Sequence, residues 1–236
     1  MRVKPDPSPP EEGTEQITDE DLADLLPLIG EERIERMRSA LEDRTRTVTV
    51  VMEGFSDPHN SSAVMRTCEA FGIQDAHVVK GPHSGRHRRP NKKITRGSTR
   101  WTTIERWNST KEALPELKRR GYRICVAHLG GETTMTDLDF TQKTALWFGN
   151  EHDGPSAELL EQADETFEIT MVGFVESFNV SVAAALCLQQ AYLQRENLGG
   201  HGDLSDAEKE AIFRQWVVKD VRKGTSVLDE LRRRRK

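Results

Sequence analysis

The sequence predicts an α/β protein built on a mostly parallel sheet, and three observations support this prediction. Short runs of β-branched and apolar residues alternate along the chain with helical patterns, which is typical of a parallel sheet. The helical patterns carry apolar residues three and four positions apart. A length of 236 residues with 35% hydrophobic content suits one sizeable core with helical additions.

The predicted elements follow one another along the chain. Two short helical patterns, at 19–29 and 31–43, are separated by Gly30. Strands are predicted at 46–54, 76–80, 101–105, 122–128, 144–148 and 166–171. Helices are predicted at 60–71, 110–119, 156–162 and 177–196. From Leu204 onward the tail is typical of two amphipathic helices divided at Lys223 and Gly224.

These elements divide the chain into four regions. An acidic, Pro-rich leader, predicted to be disordered, covers 1–18. A helical extension covers 19–45, the α/β domain covers 46–197, and a second helical extension covers 198–236. No stretch reaches the roughly 20 apolar residues of a membrane span, and the N-terminus lacks the apolar core of a signal peptide. A cytoplasmic protein without membrane contact is therefore expected.

The three cysteines are separated widely and lie among apolar residues. They form neither a disulfide framework nor a CxxC metal site, so small buried thiols and no metal are expected. There is also no GxGxxG after an early strand, no GxxxxGK[ST] and no HExxH. These absences argue against an NAD-linked oxidoreductase and a methyltransferase with the usual Gly-rich first loop.

The net charge of −5 is unevenly distributed. Residues 1–25 hold eight acids against Arg2 and Lys4, a balance of −6, which leaves the rest of the chain at +1. The basic segment, residues 80–100, has eight Lys or Arg and no acid. Such a run suits a polyanion, so these residues are predicted to bind RNA: Lys80, Arg86, Arg88, Arg89, Lys92, Lys93, Arg96 and Arg100.

Three loops after predicted strands are the places to look for chemistry, because ligands collect at the carboxyl ends of strands in open α/β sheets. In the first, NSSAVMR, Asn60 suits a helix cap. Arg66 in the same stretch fits either a solvated helix face or a guanidinium directed at a phosphate.

The second loop, FGNEHDGPS, places Glu151 between two glycines, which suits a close approach of a ligand to the backbone or an ordinary loop carboxylate. The third, ESFNVSVAAAL, offers Ser177 and Asn179 as helix caps or ligand contacts. The helix that follows has an unusually small face, formed by Ser181, Ala184 and Ala185.

Taken together and in this order, the three stretches resemble the three motifs of the SpoU family of RNA ribose 2′-O-methyltransferases, within the SPOUT superfamily. The resemblance covers roughly residues 46–196 and looks most like the TrmH branch, which methylates a D-loop guanosine of tRNA at position 18. It implies that the C-terminal part of the α/β domain is threaded into a deep trefoil knot that forms the S-adenosylmethionine site. It also implies a homodimer packed through that region.

The resemblance carries residue roles with it. The catalytic motif positions correspond to Asn60, Arg66, Glu151, Ser177 and Asn179. The cofactor contacts correspond to Ala127, His128, Leu129, Gly149, Asn150, Ile169, Met171 and Phe178. Arg66 is expected to hold the phosphate beside the target ribose, with Asn60 orienting it, while a ribose 2′-oxygen attacks the cofactor's methyl group. No metal is required for that reaction.

Two alternatives remain open at this stage. One keeps the chemistry and changes the substrate to ribosomal RNA or a tRNA anticodon loop. The other is an RNA-binding knot protein that transfers no methyl group. The helical flanks favour the D-loop enzyme over the first, and the joint presence of all five motif residues weighs against the second.

Overall fold

The computed structural model describes residues 17–81, 100–197 and 199–235. Two compact units are present: an α/β unit of residues 45–201, and a helical unit made of the described residues before 45 together with those from 202 onward. No helix in the described part of the chain is long and apolar enough to cross a bilayer.

The α/β unit contains a seven-stranded sheet in which every pairing is parallel. Its strands are β1 (Val48–Glu53), β2 (Asp75–Val79), β3 (Thr103–Trp107), β4 (Arg123–Ala127), β5 (Thr133–Thr134), β6 (Thr144–Phe148) and β7 (Glu165–Glu168). They lie in the order β3-β2-β1-β6-β4-β7-β5. The predicted parallel α/β architecture is confirmed; the two-residue β5 was not predicted.

Helices cover both faces of this sheet, which explains why its central strands are apolar throughout rather than alternating. The helices are α3 (Pro58–Ala70), α4 (Thr110–Arg119), α5 (Ala157–Gln162) and α6 (Val180–Glu196). On one face, Val50 and Met52 of β1 share a buried cluster with residues of α3 and α6. On the other face, Val51 and Trp147 share a cluster with residues of α4 and α5.

Several predicted details differ from the structure. Asn60 does not cap α3: Asp57 does, its carboxylate accepting a hydrogen bond from the His59 N–H at 2.8 Å. Pro58 favours this earlier start because its fixed φ and missing N–H suit the first helical position. The strand β7 ends at Glu168, three residues earlier than predicted. The last helix of the unit begins at Val180, because the Asn179 side chain caps it.

Of the small face of α6, Ala184 is buried within its own unit, whereas Ser181 and Ala185 are half-buried. Ala184, Cys187, Leu188 and Ala191 are buried, and α6 packs against α3. The small side chains therefore allow close packing of two helices within the α/β unit.

The helical unit consists of α1 (Asp19–Leu25), a 3₁₀ turn (Leu26–Leu28), α2 (Glu31–Glu42), α7 (Asp206–Asp220) and α8 (Gly224–Arg234). Pro27 in the 3₁₀ turn explains why the first predicted helix is split. Asp21 is buried and pairs with Arg232 at 2.5 Å and Arg235 at 2.6 Å. Two of the arginines near the C-terminus thus bind an acid of the first helix.

The three cysteines are free and buried, as predicted. Burial raises the pKa of Cys125 to about 12, and it raises the pKa of Cys187 further.

Candidate functional site

The loops carrying the three motifs meet at one edge of the sheet. β1, β6, β4 and β7 are neighbours, and the ladder pairs Met52 with Phe148, Phe148 with Ala127, and Ala127 with Phe167. These four residues lie level near the carboxyl ends of parallel strands. The segments after them therefore emerge side by side, as expected for a ligand site in an open α/β sheet.

Glu151, from the loop after β6, is held by the loop after β1. One of its carboxylate oxygens accepts hydrogen bonds from Ser56 N at 2.9 Å and Ser56 Oγ at 3.0 Å. The other accepts from Asp57 N at 3.3 Å and from Asn60 Nδ2 at 2.9 Å. Burial raises the pKa of Glu151, but the hydrogen bonds from Asn60, Ser56 and Asp57 outweigh it, so that the pKa lies below its ordinary value.

A chain of hydrogen bonds extends from Glu151 to the third motif. The Asn60 amide donates to Glu151, and its Oδ1 accepts from Asn179 Nδ2 at 3.0 Å. Asn179 Oδ1 accepts from Ser181 N at 2.9 Å and Ser181 Oγ at 2.6 Å. Because a carboxylate only accepts, the orientation of each amide in the chain follows from Glu151. Asn60, Glu151 and Asn179, one residue from each motif, are thereby joined directly.

The other two predicted catalytic residues are not part of this chain. Ser177 is exposed in the segment before α6, and Arg66 is exposed on α3. Arg66 lies about 9 Å along the helix axis from Asn60 and about 240° around it, so the two side chains occupy different faces. Asn60 was expected to orient Arg66, but its observed partners are Glu151 and Asn179.

The loop from Gly149 to Ser156 is compact. Asn150 and Gly154 exchange backbone hydrogen bonds at 3.0 and 2.9 Å. The Asn150 side chain donates to the Gly54 carbonyl at 2.6 Å and accepts from His152 N at 2.8 Å. A Cβ on Gly149 would lie 2.1 Å from the Pro155 nitrogen, so only glycine fits there. Asn150, predicted to contact the cofactor, thus has a side chain that shapes its own loop.

The remaining predicted cofactor residues lie at the same sheet edge. Ala127 ends β4, and His128 N donates to Phe167 O at 2.9 Å. Leu129 is 56% exposed and Phe178 is 38% exposed, which is unusual for large apolar side chains. Ile169 and Met171 follow β7 and are partly exposed. These loops combine backbone groups with exposed apolar side chains, a composition that fits an adenosyl group.

Three residues that hold the site together were not predicted. Ser56 and Asp57 fix Glu151, and Glu53 is a buried acid at the end of β1. The available signal was the position of Glu53, a single acid that closes the apolar run VTVVM. A charge at the end of a buried strand needs hydrogen-bond donors. Here they come from Thr110 and Ser156, which are distant in the sequence, so no local pattern reveals them.

Of the predicted RNA-binding residues, Lys80 and Arg100 are described. The backbone N–H of Lys80 donates to Trp107 O at 3.1 Å, and the exposed Arg100 guanidinium lies 5.7 Å from the ring centroid of Trp101. The others lie outside the described residues: Arg86, Arg88, Arg89, Lys92, Lys93 and Arg96.

Comparison with known proteins gives a consistent result. Residues 47–189 match the model of the SpoU rRNA methylase family. A tRNA (guanosine(18)-2′-O)-methyltransferase of Aquifex aeolicus is 36% identical over 197 residues, which cover 82% of this chain and 92% of that protein. The crystal structure of the A. aeolicus TrmH/SpoU tRNA modifying enzyme superposes with a TM-score of 0.76 at 36% identity, covering 84% of this chain and all of the other.

A more distant solved structure is that of the SpoU methyltransferase AviRb from Streptomyces viridochromogenes in complex with AdoMet. It has a TM-score of 0.57 and 26% identity, and the match covers 67% of this chain and 60% of that one. The family match spans more than half of the sequence and includes all three motif loops that the hydrogen bonds join. The chain therefore belongs to the SpoU methylase family.

Proposed function

We propose that this protein is an S-adenosylmethionine-dependent methyltransferase that modifies the ribose 2′-hydroxyl of guanosine 18 in the D-loop of tRNA. The observation that carries the proposal is the hydrogen-bonded chain from Glu151 through Asn60 to Asn179, which unites the three family motifs. The choice of substrate is supported by the A. aeolicus relative, which is named for that nucleotide.

The cofactor supplies an activated methyl group, and the loops after β4, β6 and β7 are proposed to hold it. Residues 127–129, 149–150, 169, 171 and 178 are the contacts. Leu129 and Phe178 offer apolar surface to the adenosyl group, and the fixed backbone at Gly149 offers directional hydrogen bonds. By fixing this backbone before ligands arrive, the protein lowers the entropic cost of bringing the reactants together.

Arg66 is proposed to bind the phosphate beside the target ribose. Its side chain is exposed and makes no hydrogen bond or ion pair within the described part of the chain, so the guanidinium is available. Beside a phosphate it stabilises the charge that develops as the 2′-hydroxyl loses its proton. Glu151 and Asn60 act on the geometry of the loops, and Ser177 and Asn179 shape the segment before α6.

A homodimer is proposed as the working form. The helix α6 carries three exposed apolar side chains, those of Val182, Leu186 and Leu193. In the segment before it, Phe174 is fully exposed. Contiguous apolar surface of this kind marks a protein interface. We further propose that the region is threaded as a trefoil knot, which family membership supports. A Leu186→Glu variant that still sediments as a dimer would remove the exposed side chains of α6 from the interface.

We assign catalysis to residues 46–197 and treat residues 1–18, 19–45 and 198–236 as flanking regions of a cytoplasmic enzyme. The basic segment, with Lys80 and Arg100 at its ends, is proposed to contact the tRNA backbone. That contact predicts binding that weakens steeply with salt, because cations on the protein release counterions from RNA.

The test is incubation of the protein with unmodified tRNA and methyl-labelled S-adenosylmethionine, followed by mapping of ribose methyl groups. Label at the 2′-oxygen of guanosine 18 is expected, and Arg66→Ala is expected to abolish it while cofactor binding remains. Arg119→Ala is a matched control, since Arg119 is an exposed helical arginine paired with Glu116. Label on a base or on the protein would refute the proposed reaction.

A further inference from the structure

Glu53 is the last residue of β1 and is only 2% exposed. Its Oε1 accepts hydrogen bonds from Ser156 Oγ at 2.7 Å and from Thr110 Oγ1. Its Oε2 accepts from Ser156 N at 3.1 Å. Ser156 Oγ in turn accepts from Leu159 N at 3.3 Å as the cap of α5, so the polarity of these hydrogen bonds is fixed.

All three donors to Glu53 are neutral, and no Lys or Arg pairs with it among the described residues. Burying an acid without a cation is costly, even when hydrogen bonds compensate part of the desolvation. An apolar residue would fill the end of β1 at less cost. What the carboxyl group provides is directional: two acceptors that hold both the backbone and the side chain of Ser156.

The loop of residues 149–156 is attached to the end of β1 at three successive points. Glu53 holds Ser156, the carbonyl of Gly54 holds the Asn150 side chain, and Ser56 holds Glu151. The first attachment is made by the buried Glu53 carboxylate and fixes the far end of the loop, where the chain enters α5. Without it, the loop is anchored at Asn150 and Glu151 but free to shift at Ser156.

We propose that Glu53 is a positioning residue for methyl transfer, which sets the backbone of the loop 149–156 against the cofactor through Ser156. This inference rests on the proposed function, because it assumes that the loop backbone at Gly149 and Asn150 contacts S-adenosylmethionine. Glu53 itself touches neither substrate in this scheme, and Ser156 transmits its effect.

The test is Glu53→Gln in the full-length protein. A glutamine has one acceptor oxygen and a donor amide, so it cannot accept from both groups of Ser156 and from Thr110. We expect the Kd for S-adenosylmethionine, measured by calorimetry without RNA, and its KM in turnover to rise about tenfold. At saturating cofactor, kcat should fall less than threefold, and the Kd for tRNA should not change. A KM for S-adenosylmethionine equal to that of the wild type would overturn the proposal.

Two further variants separate positioning from general stability. Thr110→Val removes a donor that lies on α4 rather than on the loop, and cofactor affinity should stay within twofold. An equal loss in Thr110→Val would refute the specific link to Ser156. In the double variant Glu53→Gln, Ser156→Asp, the amide of the new glutamine can donate a hydrogen bond to the carboxylate of the new aspartate. Aspartate also caps helices well. This pair should recover most of the affinity; no recovery would contradict the assigned contact.

If Glu53→Gln does not fold, Ser156→Ala serves in its place, because it removes only the hydroxyl. It should raise the Kd for S-adenosylmethionine about threefold, and an unchanged Kd would count against the proposal. The behaviour of the wild type distinguishes a failure of the proposed function from a failure of the role assigned to Glu53. A wild type that neither binds S-adenosylmethionine nor methylates tRNA contradicts the proposed function, whereas an active wild type matched by its Glu53 and Ser156 variants contradicts only the role of Glu53.

Discussion

The helical unit and the candidate site of the α/β unit hold their central acidic side chains in different ways. In the helical unit, Asp21 forms ion pairs with two guanidinium groups, those of Arg232 and Arg235. In the α/β unit, Glu53 and Glu151 are held by hydroxyl, amide and backbone N–H donors. The two guanidinium groups connect α1 with the end of α8 beside an apolar core that includes Leu25, Phe213 and Trp216, whereas the neutral donors fix the direction of a side chain. Charge therefore connects two helices in one unit, and hydrogen-bond geometry shapes the candidate site in the other.

The largest effect is expected when the central acid of the helical unit is removed. Asp21→Ala leaves two guanidinium groups without their common partner and removes the capping box with Thr18. We expect a loss of about 3–5 kcal/mol of stability, measured by urea unfolding and by amide exchange of α1 and α8. Asp24→Ala is the control, since Asp24 is 40% exposed and meets Arg235 only at 3.5 Å. Equal losses in the two variants would show that the burial of Asp21 adds nothing.

Acid should destabilise the two units over different ranges of pH. Burial lowers the pKa of His77 in the α/β unit to about 4, with Glu105 raising it and Arg120 lowering it. The unfolded chain takes up this proton near pH 6.5. Through His77 alone, the native state therefore loses roughly 3 kcal/mol as the pH falls from 6.5 to 4, and this contribution is complete above 6.5. The hydrogen bond from Arg232, the largest of several causes, lowers the pKa of Asp21 far below its ordinary value, so the helical unit should respond only in stronger acid.

The measurement is amide exchange in each unit from pH 7 to pH 4, corrected for intrinsic rates. His77→Gln is the comparison variant, because a glutamine oxygen can still accept from the Trp107 indole N–H, which donates to His77 at 3.2 Å. Its α/β unit should lose less stability over this interval. A slope equal to that of the wild type would assign the effect to another group.

Glu151 provides a test of the geometric side of the comparison. Glu151→Gln replaces one acceptor oxygen by a donor amide that opposes either the Asn60 amide and the Asp57 N–H or the N–H and hydroxyl of Ser56. We expect kcat/KM for tRNA methylation to fall roughly tenfold, or about 1.4 kcal/mol, with little change in melting temperature. Glu161→Gln on the exposed end of α5 is the control and should behave like the wild type. Full activity in Glu151→Gln would mean that the chain of amides is not needed.

Salt should have the smallest effect and a clear direction. The helical unit contains exposed or half-exposed pairs, such as Arg33 with Asp220 and Arg214 with Asp19. Raising NaCl to 1 M should weaken each by about 0.5 kcal/mol or less. The hydrogen bonds of the loop 149–156 should not respond. Exchange protection measured in both units at low and high salt tests this, and a uniform response would contradict it.

The sequence was sufficient for what depends on local pattern. Alternating apolar runs predicted the parallel sheet, and three motifs predicted the family and the convergence of Asn60, Glu151 and Asn179. It was insufficient for what depends on distant partners. Asp57 rather than Asn60 caps α3, and the Asn60 side chain is instead engaged by residues more than 90 positions away. Glu53 was missed because its donors, Thr110 at the start of α4 and Ser156 in the loop 149–156, are distant in the sequence. The local sequence around the arginines near the C-terminus does not indicate that two of them bind Asp21.

The burial of the three cysteines has a practical consequence for spectroscopy. The thiolate is the reactive form of cysteine, and the elevated pKa values of Cys125 and Cys187, together with the burial of all three residues, keep the native thiols unreactive. A cysteine introduced on the surface, for example Arg66→Cys, should therefore accept a maleimide dye or spin label as a single probe. Distances between two such labels in solution would report the assembly without prior removal of any native cysteine.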